Sequence, residues 1–183
     1  RKDVLYCDSL NSKKRKDCVV VLNIILESLL KWFAPILAFT TDEIFDLLNV
    51  KKNESVHEQQ FVEIPKNWEN NELNEKWRKL FKIKQEANLA IEEKRANKEI
   101  GSSLEAEIKI TTDSTNFDLL EGMDLAEYFI TSKAEKVKLD QQKKIKIEVR
   151  KTNGTKCPRC WKIFENSCTR CESVTFKNSN EIN

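Results

Sequence analysis

Trp32-Phe33-Ala34-Pro35-Ile36-Leu37-Ala38-Phe39-Thr40-Thr41-Asp42-Glu43-Ile44 reads as the end of one helix, an enforced break and the start of another, which sets the class of the chain. Pro35 has no N–H to give and disfavours helical geometry at Ala34, so a stop or kink is expected there. Thr40 with Glu43 three residues on has the pattern of a capping box, which predicts a second helix with Ile44, Phe45, Leu47 and Leu48 on its buried face. Upstream, Ser12 to Phe33 reads as a single helix. After the charged turn Lys13 to Asp17, the residues Val19, Val20, Leu22, Ile24, Ile25, Leu26, Leu29, Leu30, Trp32 and Phe33 are apolar almost all round. Such a helix is expected to have neighbours on most sides, with Glu27 and Lys31, one turn apart in the favourable order, marking its wet stripe. Across 183 residues there are only three Gly and three Pro, which favours long uninterrupted helices and a mainly α class.

Downstream, Asn49 to Pro65 is polar and reads as a loop followed by a short extended piece, Gln60 to Ile64. His57, the lone histidine, has no nucleophile or partner around it and reads as an ordinary exposed side chain. Asn71 to about Lys98 is a long amphipathic helix with Leu73, Trp77, Leu80, Phe81, Ala87 and Ile91 on one stripe, and Gly101 is the expected turn after it. The period then changes. Ala106, Ile108 and Ile110 alternate as a strand does, Tyr128 to Ile130 is a short apolar β-type run, and Ile145, Ile147 and Val149 alternate again, with a helical turn around Phe117 to Glu121. This stretch reads as a small α/β module.

Two Cys-x-x-Cys pairs, Cys157 with Cys160 and Cys168 with Cys171, are separated by seven residues. Each pair can present two thiolates from a tight knuckle to a single tetrahedral Zn²⁺, and four sulfurs close the shell, so the ion would be structural. Disulfides suit a secreted domain. Here Cys7 and Cys18 would be left over, reading as small core or surface residues, in a lysine-rich chain with no signal peptide in view. The opening Arg1-Lys2-Asp3 reads as a fragment of something longer, with the cytoplasm as its compartment. The stretch Cys18 to Phe39, interrupted by Asn23, Glu27, Lys31 and Pro35, is too polar to span a bilayer.

Charge is unevenly spread. From Lys133 onward there are 13 Lys or Arg against 6 Asp or Glu, net +7, which leaves residues 1–132 at net −5. A basic end on an acidic body suits either a polyanion-binding appendage or a solubilising surface, and near the cysteines it also offsets the net −2 of a tetrathiolate zinc site. Trp161 follows the second cysteine directly, amid Arg159, Lys162 and Arg170. It reads either as a stacking platform for unstacked bases with cations for phosphate, or as a cap over the metal cluster or the α/β module. Lys13 to Lys16, and Lys94, Arg95 and Lys98, are further basic clusters that read as phosphate contacts or as solvated faces.

Several of these stretches together resemble the C-terminal region of the bacterial isoleucine–tRNA ligase family, class I aminoacyl-tRNA synthetases. Arg1-Lys2-Asp3-Val4-Leu5-Tyr6 looks like the family's entry into its anticodon-binding helices. The run from Trp32 to Ile44 is similar to a motif shared with the valine, leucine and methionine enzymes. Lys98-Glu99-Ile100-Gly101-Ser102-Ser103-Leu104-Glu105-Ala106 and Cys157-Pro158-Arg159-Cys160-Trp161, with the second cysteine pair, narrow it to the isoleucine member. The resemblance implies a helical anticodon-binding bundle over residues 1–100, a small α/β junction module over 101–151 and a zinc-binding C-terminal domain over 152–183.

It further implies tRNA(Ile) as partner, with the Trp161 position at the tRNA; Arg159, Arg170 and Lys162 are read as the cations that accompany it there, and the parent is expected to be a monomer. Isoleucine and ATP would be handled by catalytic parts whose His-Ile-Gly-His and Lys-Met-Ser-Lys-Ser type signatures do not occur in this sequence. The chain alone is then expected to be catalytically silent. The loop between the cysteine pairs is shorter than is usual in the family. The rival class is the four-cysteine finger of formamidopyrimidine-DNA glycosylases, which follows a helix-two-turn-helix that the long helices here do not resemble. A protein-interaction module stapled by zinc is the third reading.

Overall fold

The computed structural model describes residues 2–48, 54–139 and 145–179. By contact they fall into two compact units, Arg1–Glu69 and Asn70–Asn183. The first part of the expected loop, residues 49–53, lies outside the described residues.

In the first unit, helices α1 (Lys2–Cys7), α2 (Lys13–Phe33) and α3 (Ala38–Leu48) pack in sequence, with a 3₁₀ turn, Val56–Glu58, against α2 and α3. Ser12 closes the start of α2, its Oγ accepting from the Arg15 N–H at 3.4 Å, and Arg15 Nε donates to the Leu5 carbonyl at 3.1 Å, tying α1 to α2. The helix does stop at Pro35. Ala34 nevertheless keeps helical angles (φ −50, ψ −44), and the chain turns because the Ile36 and Leu37 N–H groups both fold back onto the Phe33 carbonyl, at 2.9 and 2.8 Å. The missing proline N–H, rather than the bias on the residue before it, ends the helix.

Several expectations here differ from the structure. The capping box at Thr40 and Glu43 does not form, because α3 already begins at Ala38. Thr40 and Thr41 lie inside the helix, where the Thr41 hydroxyl donates to the Leu37 carbonyl at 2.9 Å. Of the predicted buried face of α3, Ile44 and Phe45 pack on the core of Leu30, Ala34 and Val56, while Leu47 and Leu48 are exposed. Nor is α2 surrounded: Ser28 and Leu30 are its buried residues, and Val20, Val21, Ile25, Leu29 and Trp32 are exposed, so the described residues supply neighbours for one stripe only. The Glu27–Lys31 pair forms at 2.6 Å, but Lys31 is largely covered rather than part of a wet stripe. No strand forms at Gln60 to Ile64 among the described residues.

Asp42 holds the 3₁₀ turn in place: its Oδ1 accepts from the Ser55 hydroxyl at 2.7 Å and the Val56 N–H at 3.0 Å. The Ser55 hydroxyl, then the Val56 N–H, hold its carboxyl below the ordinary 3.8. A carboxyl depressed on folding contributes stability above its unfolded value and loses it as the pH falls through the folded one. Thermal melts of Asp42→Ala against the parent chain are therefore expected to differ fully above pH 3.8 and to converge below it.

The second unit opens with α4 (Asn71–Ala96), capped by Asn70, whose Oδ1 accepts from the Leu73 N–H at 2.8 Å. Its buried stripe is Leu80, Ile83, Ala87 and Ile91; of the expected stripe, Leu73, Trp77 and Phe81 are exposed. The helix ends in a Schellman motif. Lys98 sits in the left-handed region at φ 59, with Lys98 N–H to the Arg95 carbonyl and Glu99 N–H to the Lys94 carbonyl, both at 3.0 Å. The turn thus falls at Lys98 and not at Gly101, and the contact that usually closes this motif by apolar packing is here the Lys94–Glu99 ion pair at 2.9 Å.

Three strands follow, β1 (Ala106–Thr112), β2 (Lys133–Lys138) and β3 (Lys146–Lys151), in the order β2-β1-β3. β2 runs parallel to β1 and β3 antiparallel, with Ile108 opposite Ala134 and Val149. Helices α5 (Ser114–Leu119) and α6 (Leu125–Tyr128) make the crossover from β1 to β2. The alternating residues of β1 and β3, with α4 and Leu120, Leu125 and Phe129, form one core. The run Tyr128 to Ile130 is not a strand. Asp124 accepts from the Glu127 N–H at 2.9 Å and starts α6 instead, and Ile130 lies at φ 60 in the turn that follows. A hairpin, β4 (Thr155–Lys156) and β5 (Ile163–Phe164), and helix α7 (Thr169–Ser179) complete the unit.

Candidate metal centre and nucleic-acid interface

The hairpin closes on a glycine at its open end. Gly154 enters it at φ 131, and a Cβ there would lie 2.2 Å from the Phe164 carbonyl oxygen, so only glycine allows the strands to close. Beyond β4, the Cys157 N–H donates to the Lys162 carbonyl and the Trp161 N–H to the Cys157 carbonyl, both at 2.9 Å. This winds Cys157 to Trp161 into a knuckle that turns both thiols inward. The second pair straddles the start of α7, where the Glu172 N–H bonds the Cys168 carbonyl at 3.0 Å.

All four cysteines are buried and none is in a disulfide. Their sulfurs lie within 4.8 Å of one another, and Cys160 Sγ is 3.8 Å from Cys168 Sγ. A tetrahedron with metal–sulfur bonds of about 2.3 Å has edges of about 3.8 Å, so donor set and spacing both fit a metal ion. Left to themselves the thiols cannot ionise together. Burial opposes ionisation of Cys157, but the Cys160 and Arg159 N–H groups and the neighbouring thiols outweigh it and bring Cys157 to about 7. Burial pushes Cys160 up to about 11, and burial with the adjacent thiols raises Cys171 as well. A cation among them removes that conflict, and the N-terminus of α7 adds a favourable dipole toward the negative cluster.

Trp161 projects from the knuckle 61% exposed, at φ 65. The left-handed region is uncommon for any residue but glycine or asparagine, and a bulky side chain there costs about 1–3 kcal/mol. An exposed ring recovers little of that by packing. Arg159, Lys162 and Arg170 are half-buried on the same small knuckle.

The other cations are largely engaged within the chain. Lys13 pairs with Asp17 at 2.9 Å and Arg95 with Glu92 at 2.6 Å. On the solvent face of the sheet Lys109 meets Glu135 at 3.6 Å, Lys133 meets Glu107 at 3.5 Å and Lys146 meets Glu148 at 2.7 Å. Lys133 and Lys146, both from the basic end, thus sit in a mixed-sign surface. His57 is exposed, its Nε2 3.3 Å from the Ala38 carbonyl, and Cys7 is buried while Cys18 is half-buried. Two residues of the site were not foreseen: Gly154, which the Asn153-Gly154 pair could have signalled, and Ser132, for which the sequence carries no signal.

Residues 1–110 match the anticodon-binding domain of tRNA ligases. The chain is 51% identical over 170 residues to the isoleucine–tRNA ligase of Pelagibacter ubique, covering 93% of this chain and 19% of that one. It is 39% identical over 173 residues to the ligase of Agrobacterium fabrum (89% and 18%) and 34% identical over 195 residues to that of Caldanaerobacter subterraneus (94% and 21%). It therefore spans about a fifth of the length of these curated relatives, and the glycosylase reading gains nothing from them. With the helical first unit, the matched span and these relatives in agreement, the chain belongs to the anticodon-binding domain family of tRNA ligases, in its isoleucine–tRNA ligase branch.

Proposed function

We propose that this chain is the part of an isoleucine–tRNA ligase that grips the anticodon end of tRNA(Ile), with a Zn²⁺-stapled tip delivering one aromatic contact. Residues 1–100 serve as the helical anticodon-binding part, 101–151 as the junction and 152–183 as the zinc-binding tip. Activation of isoleucine with ATP and its transfer to tRNA belong to other parts of the parent ligase. Cys157, Cys160, Cys168 and Cys171 hold the zinc, which fills its four positions with sulfur, activates no water and supplies folding free energy only. No described helix is long and apolar enough to cross a membrane, in keeping with a cytoplasmic ligase.

The observation that carries the RNA reading is Trp161, held exposed at φ 65, with Arg159 and Lys162 close to it in sequence. For folding alone glycine is the better residue at that φ. A tryptophan there is explained by what the ring meets outside the chain, and an unstacked base is the partner that an indole among Arg and Lys suits. Stacking of one base is worth about 1–3 kcal/mol, so Trp161→Gly is expected to weaken tRNA(Ile) binding by roughly tenfold or more. The same change should leave bound zinc stoichiometric and make the knuckle no less stable. Unchanged affinity in a titration with tRNA(Ile) would remove Trp161 from the interface.

A further inference from the structure

We infer that Ser132 is a positioning residue: its hydroxyl fixes the zinc tip at one angle to the sheet and so determines where Trp161 is presented. The inference rests on the tRNA reading of Trp161 for its consequence, but not for its geometry. Ser132 precedes β2, at the turn where α6 gives way to the sheet. Its Oγ accepts from the Ile163 N–H of β5 at 2.6 Å and donates to the Leu104 carbonyl. One hydroxyl therefore joins the tip hairpin to the turn Ser103–Glu105 that leads into β1.

That turn is itself held from both sides. Glu105 Oε2 accepts from the Gly101 N–H at 2.9 Å, and the Glu105 carbonyl accepts from the Thr152 N–H at 2.8 Å. The Ser132 N–H donates to the Ala106 carbonyl at 3.1 Å, so the backbone carrying the hydroxyl is pinned to the start of the central strand β1. From the end of α4 to the tip there is thus a continuous set of hydrogen bonds through Gly101, Glu105, Leu104, Ser132 and Ile163. Among the described residues, the core of the unit runs from Leu80 to Val149 and includes none from the hairpin or from α7. The metal cluster orders the tip internally, but four sulfurs on one ion say nothing about its angle to the sheet.

Zinc-loaded chain with Ser132→Ala and Ser132→Thr separates this role from a merely structural one. Ser132→Ala leaves the Ile163 N–H without its acceptor. The expected result is full zinc content, faster hydrogen exchange at the Ile163 amide, and ¹⁵N relaxation showing residues 155–171 tumbling with added freedom against residues 106–151. Binding of tRNA(Ile) is expected to fall about tenfold, while Ser132→Thr retains both the order and the affinity. In the Trp161→Gly background the Ser132→Ala change should cost no further affinity, because the two act through the same contact.

Unchanged relaxation of residues 155–171 in Ser132→Ala overturns the inference. So does a loosened tip with undiminished tRNA binding when Trp161→Gly alone weakens it. If Trp161→Gly leaves tRNA binding intact, the RNA reading of Trp161 fails, and the relaxation data still decide whether Ser132 sets the angle of the tip.

Discussion

Stripping the metal with a chelator is expected to melt residues 155–175 as a unit and to leave α4 and the three-stranded sheet folded. Three observations set that boundary. Among the described residues, the apolar core of the second unit has its last buried member at Val149, so that core does not extend into the tip. The β4–β5 ladder is two residues per strand, far too little to stand alone. Helix α7 has 11 residues, below the roughly 12–15 at which isolated helices become marginal, and its first turn is anchored through Cys168 and Cys171. Metal binding supplies on the order of 10 kcal/mol in small zinc peptides, more than any other term available to this segment. Cys168→Ser, which removes one ligand from the cluster, is expected to give the same local loss in the presence of added zinc. Amide spectra with and without chelator check it, and persistence of the 155–175 signals in metal-free protein would refute a structural metal.

Much of this was open to a reader of the sequence, and the parts that were not share a cause. The cysteine cluster was legible because ligand spacing is a local property. So were α2, α4, β1 and β3, whose apolar periods are long and regular. The strand β2 escaped because Lys-Ala-Glu-Lys-Val-Lys is an edge strand with hardly any apolar face to bury. Its Lys136 lies over the Phe117 ring at 4.0 Å, so even the inward side is lined by a cation with a long apolar stem. Tyr128 to Ile130 misled for the opposite reason: three apolar residues suit either period, and the Asp124 cap decided for helix. The extent of burial along α2 was overestimated because sequence reports a need for neighbours and not their presence. At the tip, the exposure and backbone angle of Trp161 are what the proposal rests on, and neither is written in residue order.

Replacing Phe129 by alanine is expected to destabilise the second unit by about 3–5 kcal/mol, the range for emptying a phenylalanine site in a packed core. Phe129 is 1% exposed and among the largest fully buried side chains of the chain. It closes α6, a helix of only four residues that has no stability of its own. The ring meets Tyr128 edge-on at 5.0 Å, and Tyr128 in turn faces Trp77 of α4 at 5.8 Å, with Lys84 Nζ 4.8 Å above its ring. Deleting Phe129 therefore opens a cavity in the core shared by α6, α4 and the sheet. Against a typical domain stability of about 5–15 kcal/mol, that loss takes about a fifth or more. Trp77→Ala removes a larger ring, yet Trp77 is 44% exposed, so its effect should be clearly smaller. Urea titrations followed at residues 106–149 are expected to rank Phe129→Ala well below Trp77→Ala in midpoint; the reverse order would place the centre of the core on the outer face of α4.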